Sequence, residues 1–294
     1  MAIITPFYRS ANHDFTLVKG DCNSVLNSFE FKFDMIFADP PYFLSNGGPS
    51  ISSGRIVSVN KGDWDIAHSP VDVDVFNKQW LQLCWDKLKD DGTIWVTGTF
   101  HNIFSVGKIL TELGYKIINF ITWEKKNPPY NIFETHFQFS SEYLIWAKKD
   151  NKHKHCFNQL FVKESNGGKM LKDVWRLPAV GNWEKKYGRH PTQKPLSLLT
   201  RIILSSTHEH SWILDPFCGS GTTGIAASLY GRYFCGIELD DTFCELSKKR
   251  RIELDSISIS LEMRNKINRI IRHSRLDNVG YVSEEIRQYK NLPF

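Results

Sequence analysis

No apolar run in the sequence approaches the ~18 residues that a membrane-crossing helix requires. Collagen-like and disordered classes are excluded as well, since 41% of the 294 residues are hydrophobic and the mean hydropathy is −0.33. There is no internal repeat and no low-complexity tract. The six cysteines (22, 84, 156, 218, 235 and 244) include no Cys-x-x-Cys pair, so reduced thiols are expected rather than a disulfide framework. The opening Met-Ala-Ile-Ile-Thr-Pro-Phe-Tyr-Arg-Ser lacks a basic stretch followed by an apolar one, so no secretion signal is read and a cytoplasmic location is expected. What is present is enough chain for one large domain, or one domain with a sizeable insertion.

The net charge of +5 is unevenly spread. Residues 152–189 hold nine Lys or Arg against three Asp or Glu, and residues 248–275 hold the same nine against three. Two basic segments on an otherwise acidic chain point to a polyanionic partner. The second segment reads equally as the basic face of a terminal helix.

Short runs rich in Val, Ile, Phe and Trp alternate with helix-like stretches, the pattern of an α/β doubly wound sheet. Strands are expected at Asp14–Val18, Met35–Ala38, Thr93–Thr97, Lys116–Trp123, Tyr143–Ala147, Trp212–Asp215 and Tyr233–Glu238. Helices are expected at Asp74–Lys89, Asn102–Leu113, Pro195–Ser205, Thr222–Tyr230 and Asp241–Arg251. Met263, Ile267, Ile270 and Ile271 would line one face of a further helix near Leu261–Arg272. Two stretches break the rhythm. Phe43–Gly62 is Gly- and Ser-rich, reads as a long loop and suits a lid that carries Lys61. Asp150–Arg189 is basic, with Trp175, Trp183 and Tyr187 interspersed, and reads as an insertion outside the main sheet. The organisation expected is residues 1–149 as a first half-domain, 150–189 as the insertion, 190–255 as a second half-domain and 256–294 as a basic extension.

Leu214-Asp215-Pro216-Phe217-Cys218-Gly219-Ser220-Gly221-Thr222-Thr223-Gly224 follows an apolar strand and opens a helix, placing a Gly-x-Gly-x-x-Gly pattern in its required context. The next strand ends at Glu238, whose carboxylate can accept from both hydroxyls of a ribose. Alone, these features fit NAD and S-adenosyl-L-methionine equally. Two details favour the second. Glu238 comes only 14 residues after Gly224, and Asp215 would repel a pyrophosphate but attract an ammonium group.

Met35-Ile36-Phe37-Ala38-Asp39-Pro40-Pro41-Tyr42 ends an apolar strand in an acid, two prolines and an aromatic ring. The exocyclic amine of adenine is a poor nucleophile, because its lone pair is delocalised into the ring. Accepting hydrogen bonds from both of its N–H groups restores reactivity. Asp39 offers a carboxylate for one and Pro40 a backbone carbonyl for the other, with φ fixed by the pyrrolidine ring. Tyr42 would stack on a base swung out of the duplex.

Asp-Pro-Pro-Tyr with a downstream Phe-x-Gly-x-Gly resembles the amino-methylating DNA methyltransferases, and the order of the two motifs resembles that of their β group. Residues 37–48, Lys-Gly-Asp-Trp-Asp (61–65), Lys-Asp-Val-Trp (172–175) and His-Pro-Thr-Gln-Lys-Pro (190–195) are similar to the second adenine methyltransferases of DpnII-type restriction systems; HinfI-type enzymes are less similar. The resemblance covers roughly residues 15–250. It implies a seven-stranded S-adenosylmethionine-dependent methyltransferase sheet with an inserted target-recognition region. It also implies adenine-N6 methylation in GATC, in duplex and also single-stranded DNA, alongside a cognate restriction endonuclease; cytosine-N4 or another amine is the alternative target.

Residue by residue, the resemblance gives Asp21 the adenine amine of the cofactor and Glu238 the ribose. Phe217, Gly219 and Gly221 would line the cofactor, with Asp215 and Asp39, and Thr192 and Lys194 would contact its methionine end. The stretch from Thr122 to Tyr130 would pack beside the target base, with Trp123 either core or contact. Lys163, Lys169, Lys172, Arg176, Lys185, Lys186 and Arg189 are the expected phosphate contacts in 150–189. A homodimer is left open. No Pro-Cys dipeptide is present, which argues against cytosine-C5 methylation, and His153-Lys154-His155-Cys156 has no second ligand pair at zinc-like spacing, so no metal is expected.

Overall fold

The computed structural model describes residues 5–42, 49–52, 55–58, 69–128 and 135–289. Eleven strands are β1 Tyr8–Arg9, β2 Phe15–Lys19, β3 Phe33–Ala38, β4 Pro49–Ser52, β5 Arg55–Ser58, β6 Leu88–Gly98, β7 Lys116–Lys125, β8 Ser141–Lys148, β9 Val174–Leu177, β10 Trp212–Asp215 and β11 Tyr233–Glu238. Eight helices are α1 Cys22–Ser28, α2 Pro70–Lys87, α3 Ile103–Glu112, α4 Gln159–Ser165, α5 Leu196–Ser206, α6 Thr222–Leu229, α7 Asp241–Glu253 and α8 Ile257–Tyr289. None of the described helices is long and apolar enough to cross a membrane.

Nine strands form one sheet in the order β1-β2-β11-β10-β3-β6-β8-β7-β9. The expected seven are its centre, and the two additions are edge strands. β2, β11, β10, β3 and β6 run parallel, whereas β8 is antiparallel between β6 and β7. From β10 the chain winds outward to β11, and from β3 it winds the opposite way to β6. A crevice therefore opens at the carboxyl ends of β10 and β3, where parallel sheets of this kind hold ligands.

Alternation along the strands supplies a core on each face. Phe15, Leu17, Met35 and Phe37 pack towards α5 and α6, while Val18, Ile36 and Ala38 pack towards α1 and α2. α5 is buried nearly all round, because the sheet lies on one side of it and α8 on the other. Ile267 and Ile271 of α8 are buried, with Met263 and Ile270 partly covered beside them, so the expected apolar face is the face that docks.

Two expectations are corrected. The segment 150–189 does not stand wholly outside the sheet, because Val174–Leu177 pairs with the edge of β7, Trp123 opposite Trp175. Nor is 43–62 a structureless loop throughout, since β4 and β5 form an antiparallel ladder; Lys61 lies outside the described residues.

The basic stretch after residue 248 is likewise not all surface. Arg250 and Arg251 are buried at 6% and 3% exposure. Arg251 donates to Asp14 (2.7 Å), Asn12 (2.8 Å) and Asp255 (2.8 Å), tying α7 to the entry of β2. Removing one partner of such a buried pair strands the other, at roughly 3–5 kcal/mol. Arg251→Ala should therefore lower the unfolding free energy obtained from urea titration by an amount of that order, while exposed Lys249→Ala should stay within about 0.5 kcal/mol of wild type.

Candidate active site

A cavity of about 470 Å³ occupies the crevice, lined by Gly20, Asp21, Asp39–Tyr42, Phe76, His190, Thr192, Phe217, Gly219, Glu238 and Phe243 among others. A smaller recess beside it is walled by Lys194, Asp215, Ser220 and Thr223, and shares Asp39, Thr192 and Gly219 with the larger one. The two sequence motifs thus meet, brought together by the pairing of β3 with β10.

The loop after β10 needs its glycines. Gly219 and Gly221 have φ of 52° and 75°, a left-handed backbone that disfavours side chains. A Cβ on Gly219 would also press on the His190 ring, and one on Gly221 would collide with Ser247. Gly224 serves packing instead, since a Cβ there would strike Phe15 and Phe234. Buried Arg250 holds the loop from beneath, donating to Ser220 O (2.6 Å), Ser220 Oγ (3.0 Å) and Thr222 Oγ1 (2.9 Å).

The acidic walls are held by local hydrogen bonds. Glu238 accepts from Gly219 N (2.7 Å) and Asp240 N (2.8 Å), and burial pushes its carboxyl above the usual range. Asp21 caps α1, accepting from Ser24 N at 3.0 Å. Asp215 accepts from Thr223 Oγ1 (2.6 Å) and Phe217 N (3.0 Å), and burial raises its carboxyl to about 7. These carboxylates suit hydroxyl, amine and ammonium groups, and Phe76, Phe217 and Phe243 supply apolar surface between them. That donor and acceptor set fits an aminoacyl nucleoside such as S-adenosylmethionine.

At the tip of β3, Asp39 is surrounded by donors. Its Oδ1 accepts from Tyr42 Oη (2.5 Å) and Thr97 Oγ1 (2.5 Å), and its Oδ2 accepts from Lys194 Nζ (2.5 Å). Lys194 also lies 3.6 Å from Glu142, which Lys125 approaches to 2.6 Å. Burial alone would push the Glu142 carboxyl up, but the two lysines hold it below its usual range. Burial pulls on the Lys194 ammonium in the opposite sense, and Asp39 and Glu142 prevail and raise it. Tyr42 is buried, burial and both carboxylates push its hydroxyl well up, and the Lys194 ammonium sits 5.0 Å from its ring centroid.

Lys194, expected at the methionine end of a cofactor, is thus engaged by Asp39 and Glu142. Thr192 faces the cavity and its hydroxyl lies 3.3 Å from His190 Nδ1. Trp123 is core, with its indole N–H donating to Leu177 O at 3.1 Å. Pro129 and Tyr130 lie outside the described residues. Of the expected phosphate contacts, Lys169, Lys172, Lys186 and Arg189 are exposed, while Lys163, Arg176 and Lys185 are half-buried. Arg176 donates from Nε and Nη2 to Glu124 (3.0 and 2.8 Å), and Lys186 is held by Glu253 (2.6 Å). Glu142, Thr97, Phe76 and Phe243 were not legible as site residues, because each is a lone residue on an element whose place only the fold decides.

The sequence profile of the N6/N4 DNA methylase family matches residues 33–249. The chain is 50% identical over 269 residues to the type II methyltransferase M2.MboI of Moraxella bovis, covering 91% of this chain and 98% of that one. It is 47% identical over 247 residues to M2.DpnII of Streptococcus pneumoniae, covering 83% and 91%. The crystal structure of an M1.HpyAVI–SAM complex superposes with a TM-score of 0.62 at 26% identity over 81% of this chain and 98% of that one. The cytosine-N4-specific PvuII methyltransferase shares the fold at a TM-score of 0.66 and 18% identity, over 90% and 95% of the two chains. With its acid-proline-proline-tyrosine tip facing its glycine loop across one cavity, the chain belongs to the N6/N4 DNA methylase family and is a DNA methyltransferase.

Proposed function

We propose that the enzyme methylates the N6 amine of an adenine extruded from DNA, within GATC, in duplex and single strands, as the modification partner of a restriction endonuclease. The observation that carries the reading is the position of Asp39, Pro40 and Tyr42 on the rim of the cavity that the glycine loop and Glu238 enclose. The cofactor is S-adenosyl-L-methionine, which supplies a methyl group on a sulfonium, electrophilic enough for direct attack by a nitrogen. Glu238 would hold its ribose, Asp21 its adenine amine, and Asp215 with Thr192 its methionine end, between Phe217, Gly219 and Gly221.

On the DNA side, the Thr97 and Tyr42 hydroxyls fix Oδ1 of Asp39. Oδ2 is then the oxygen that exchanges Lys194 for the target amine, while the Pro40 carbonyl accepts the second N–H. The amine is drawn towards sp³ character, its lone pair is freed, and Asp39 helps it shed a proton as the bond to methyl forms. No covalent enzyme intermediate is needed. Tyr42 stacks on the base once its ring comes out from beneath the Lys194 ammonium. Lys169, Lys172, Lys185 and Arg189 supply phosphate contacts, with Lys163 and Lys61; Arg176 and Lys186 join them by releasing their carboxylates.

Labelled S-adenosylmethionine mixed with duplex and single-stranded oligonucleotides, with and without GATC, tests the reading when the products are digested to nucleosides. N6-methyladenine confined to GATC substrates is expected; label on cytosine overturns the adenine assignment, and N6-methyladenine elsewhere overturns the target. Asp39→Ala should reduce turnover by at least ~10³-fold while calorimetry shows S-adenosylhomocysteine binding largely kept.

Asp215 gives a pH prediction with a definite sign. Above about 7 its carboxylate is charged and attracts the cofactor ammonium, so affinity should fall as pH drops from 8 to 6. Asp215→Asn should bind more weakly at pH 8 and lose that pH dependence. For stability the sign is opposite. A carboxyl whose folded value is raised contributes stability at low pH that is lost as pH rises towards 7, so Asp215→Asn should melt no lower than wild type at pH 8.

A further inference from the structure

A second cavity, of about 500 Å³, lies between β7, β9, α5 and the 154–173 segment, and shares no lining residue with the first among the described residues. Its walls are flat aromatic surfaces. Trp95 and Trp146 stack at 4.9 Å, and Trp175 and Phe157 approach them at 5.9 Å. Arg201 of α5 also lines it, held between Trp175 of β9 and Ser274 of α8.

Arg201 is 2% exposed, and no described carboxylate forms an ion pair with it. Of its five N–H donors, the structure satisfies one, from Nη2 to Ser274 Oγ at 2.8 Å. Its Nε is sealed in without an acceptor, and the ring of Trp175, 5.3 Å away, is the sole electrostatic compensation among the described residues. Burial with no counter-charge lowers the guanidinium to about 10. Two further nitrogens of the lining, Trp146 Nε1 and His155 Nδ1, are also buried without partners. His155 comes from the His-Lys-His-Cys stretch that the methyltransferase site leaves unused, and it packs edge-on against Trp146. The exposed charged residues of the lining are Lys154, Lys172 and Asp173, two cations to one carboxylate.

A buried cation without its anion is unfavourable, and an aromatic box selects a flat ring. The volume is that of a small-molecule site rather than of a packing defect. We propose that this cavity is a second binding site, for a small molecule whose flat aromatic ring carries one anionic group that Arg201 receives. The proposal rests on this cavity alone and stands apart from the reading of the catalytic site.

The test is isothermal titration of the whole enzyme, with S-adenosylhomocysteine saturating so that the cofactor cavity is filled. Three probes are compared: 2-naphthoate, its neutral counterpart 2-naphthamide, and thymidine 5′-monophosphate. At least one of the two anions should bind at least ~10-fold tighter than the amide, the naphthoate marking a carboxylate site and the nucleotide a phosphate site. Arg201→Met should remove that advantage, and Arg201→Lys should keep part of it, while the affinity for S-adenosylhomocysteine stays unchanged in both. Equal binding of anions and amide, binding that survives in Arg201→Met, or no binding of either anion at millimolar concentration overturns the proposal. The anion-to-amide ratio on wild type reads the charge without any variant, so a variant that fails to fold does not rescue the idea.

Discussion

A charge removed from water is costly until a counter-charge meets it, and at the tip of β3 that cost is offset by joining stretches far apart in sequence. Asp39 follows β3, Glu142 lies in β8, Lys125 ends β7 and Lys194 precedes α5. Two carboxylates and two ammonium groups make a neutral cluster, in which each member is tolerable only because the others are present. The cluster sets where Asp39 points and orients the Tyr42 hydroxyl. Remaining parts of the site are arranged around it: the glycine loop on Arg250 beneath, and the carboxylates of Glu238 and Asp215 on backbone and hydroxyl donors.

The same cluster bears on the role proposed for Asp39, in which one carboxylate would serve a reaction without being reactive at rest. Three protein donors occupy it, so its charge is spread and satisfied. In that proposal an entering amine would offer one donor more and exchange with the ammonium. Lys194 would then still have Glu142 at 3.6 Å as a partner, and the exchange would leave no ion stranded.

Much of the fold was legible because its strands are short, apolar and bounded by turn residues. β10 and β11 begin and end where the runs Trp-Ile-Leu-Asp and Tyr-Phe-Cys-Gly-Ile-Glu do. α1 was not legible, being seven mostly polar residues whose helicity depends on the Asp21 cap. β9 was hidden in the same way, as four residues within a basic stretch that become a strand only because β7 presents a free edge. In the site, the motifs that encode backbone shape (the two prolines, the paired glycines) could be read directly. Glu142 could not, because a lone acid at a strand start carries no spacing. Lys194 was visible, but its carboxylate partner lies 155 residues away, and nothing local says which acid it will meet.

The ladder between β9 and β7 bears on how new sequence preferences arise in such enzymes. Because Val174–Leu177 completes the catalytic sheet and Arg176 is clamped to Glu124 of β7, the basic segment is not an interchangeable cassette. Replacing it wholesale with a sequence that forms no strand there would leave the β7 edge unpaired, a template for aggregation. Under the proposed role of this segment in DNA contact, change towards other target sites would fall in the stretches before Val174 and after Leu177, with the strand between them kept as a splint.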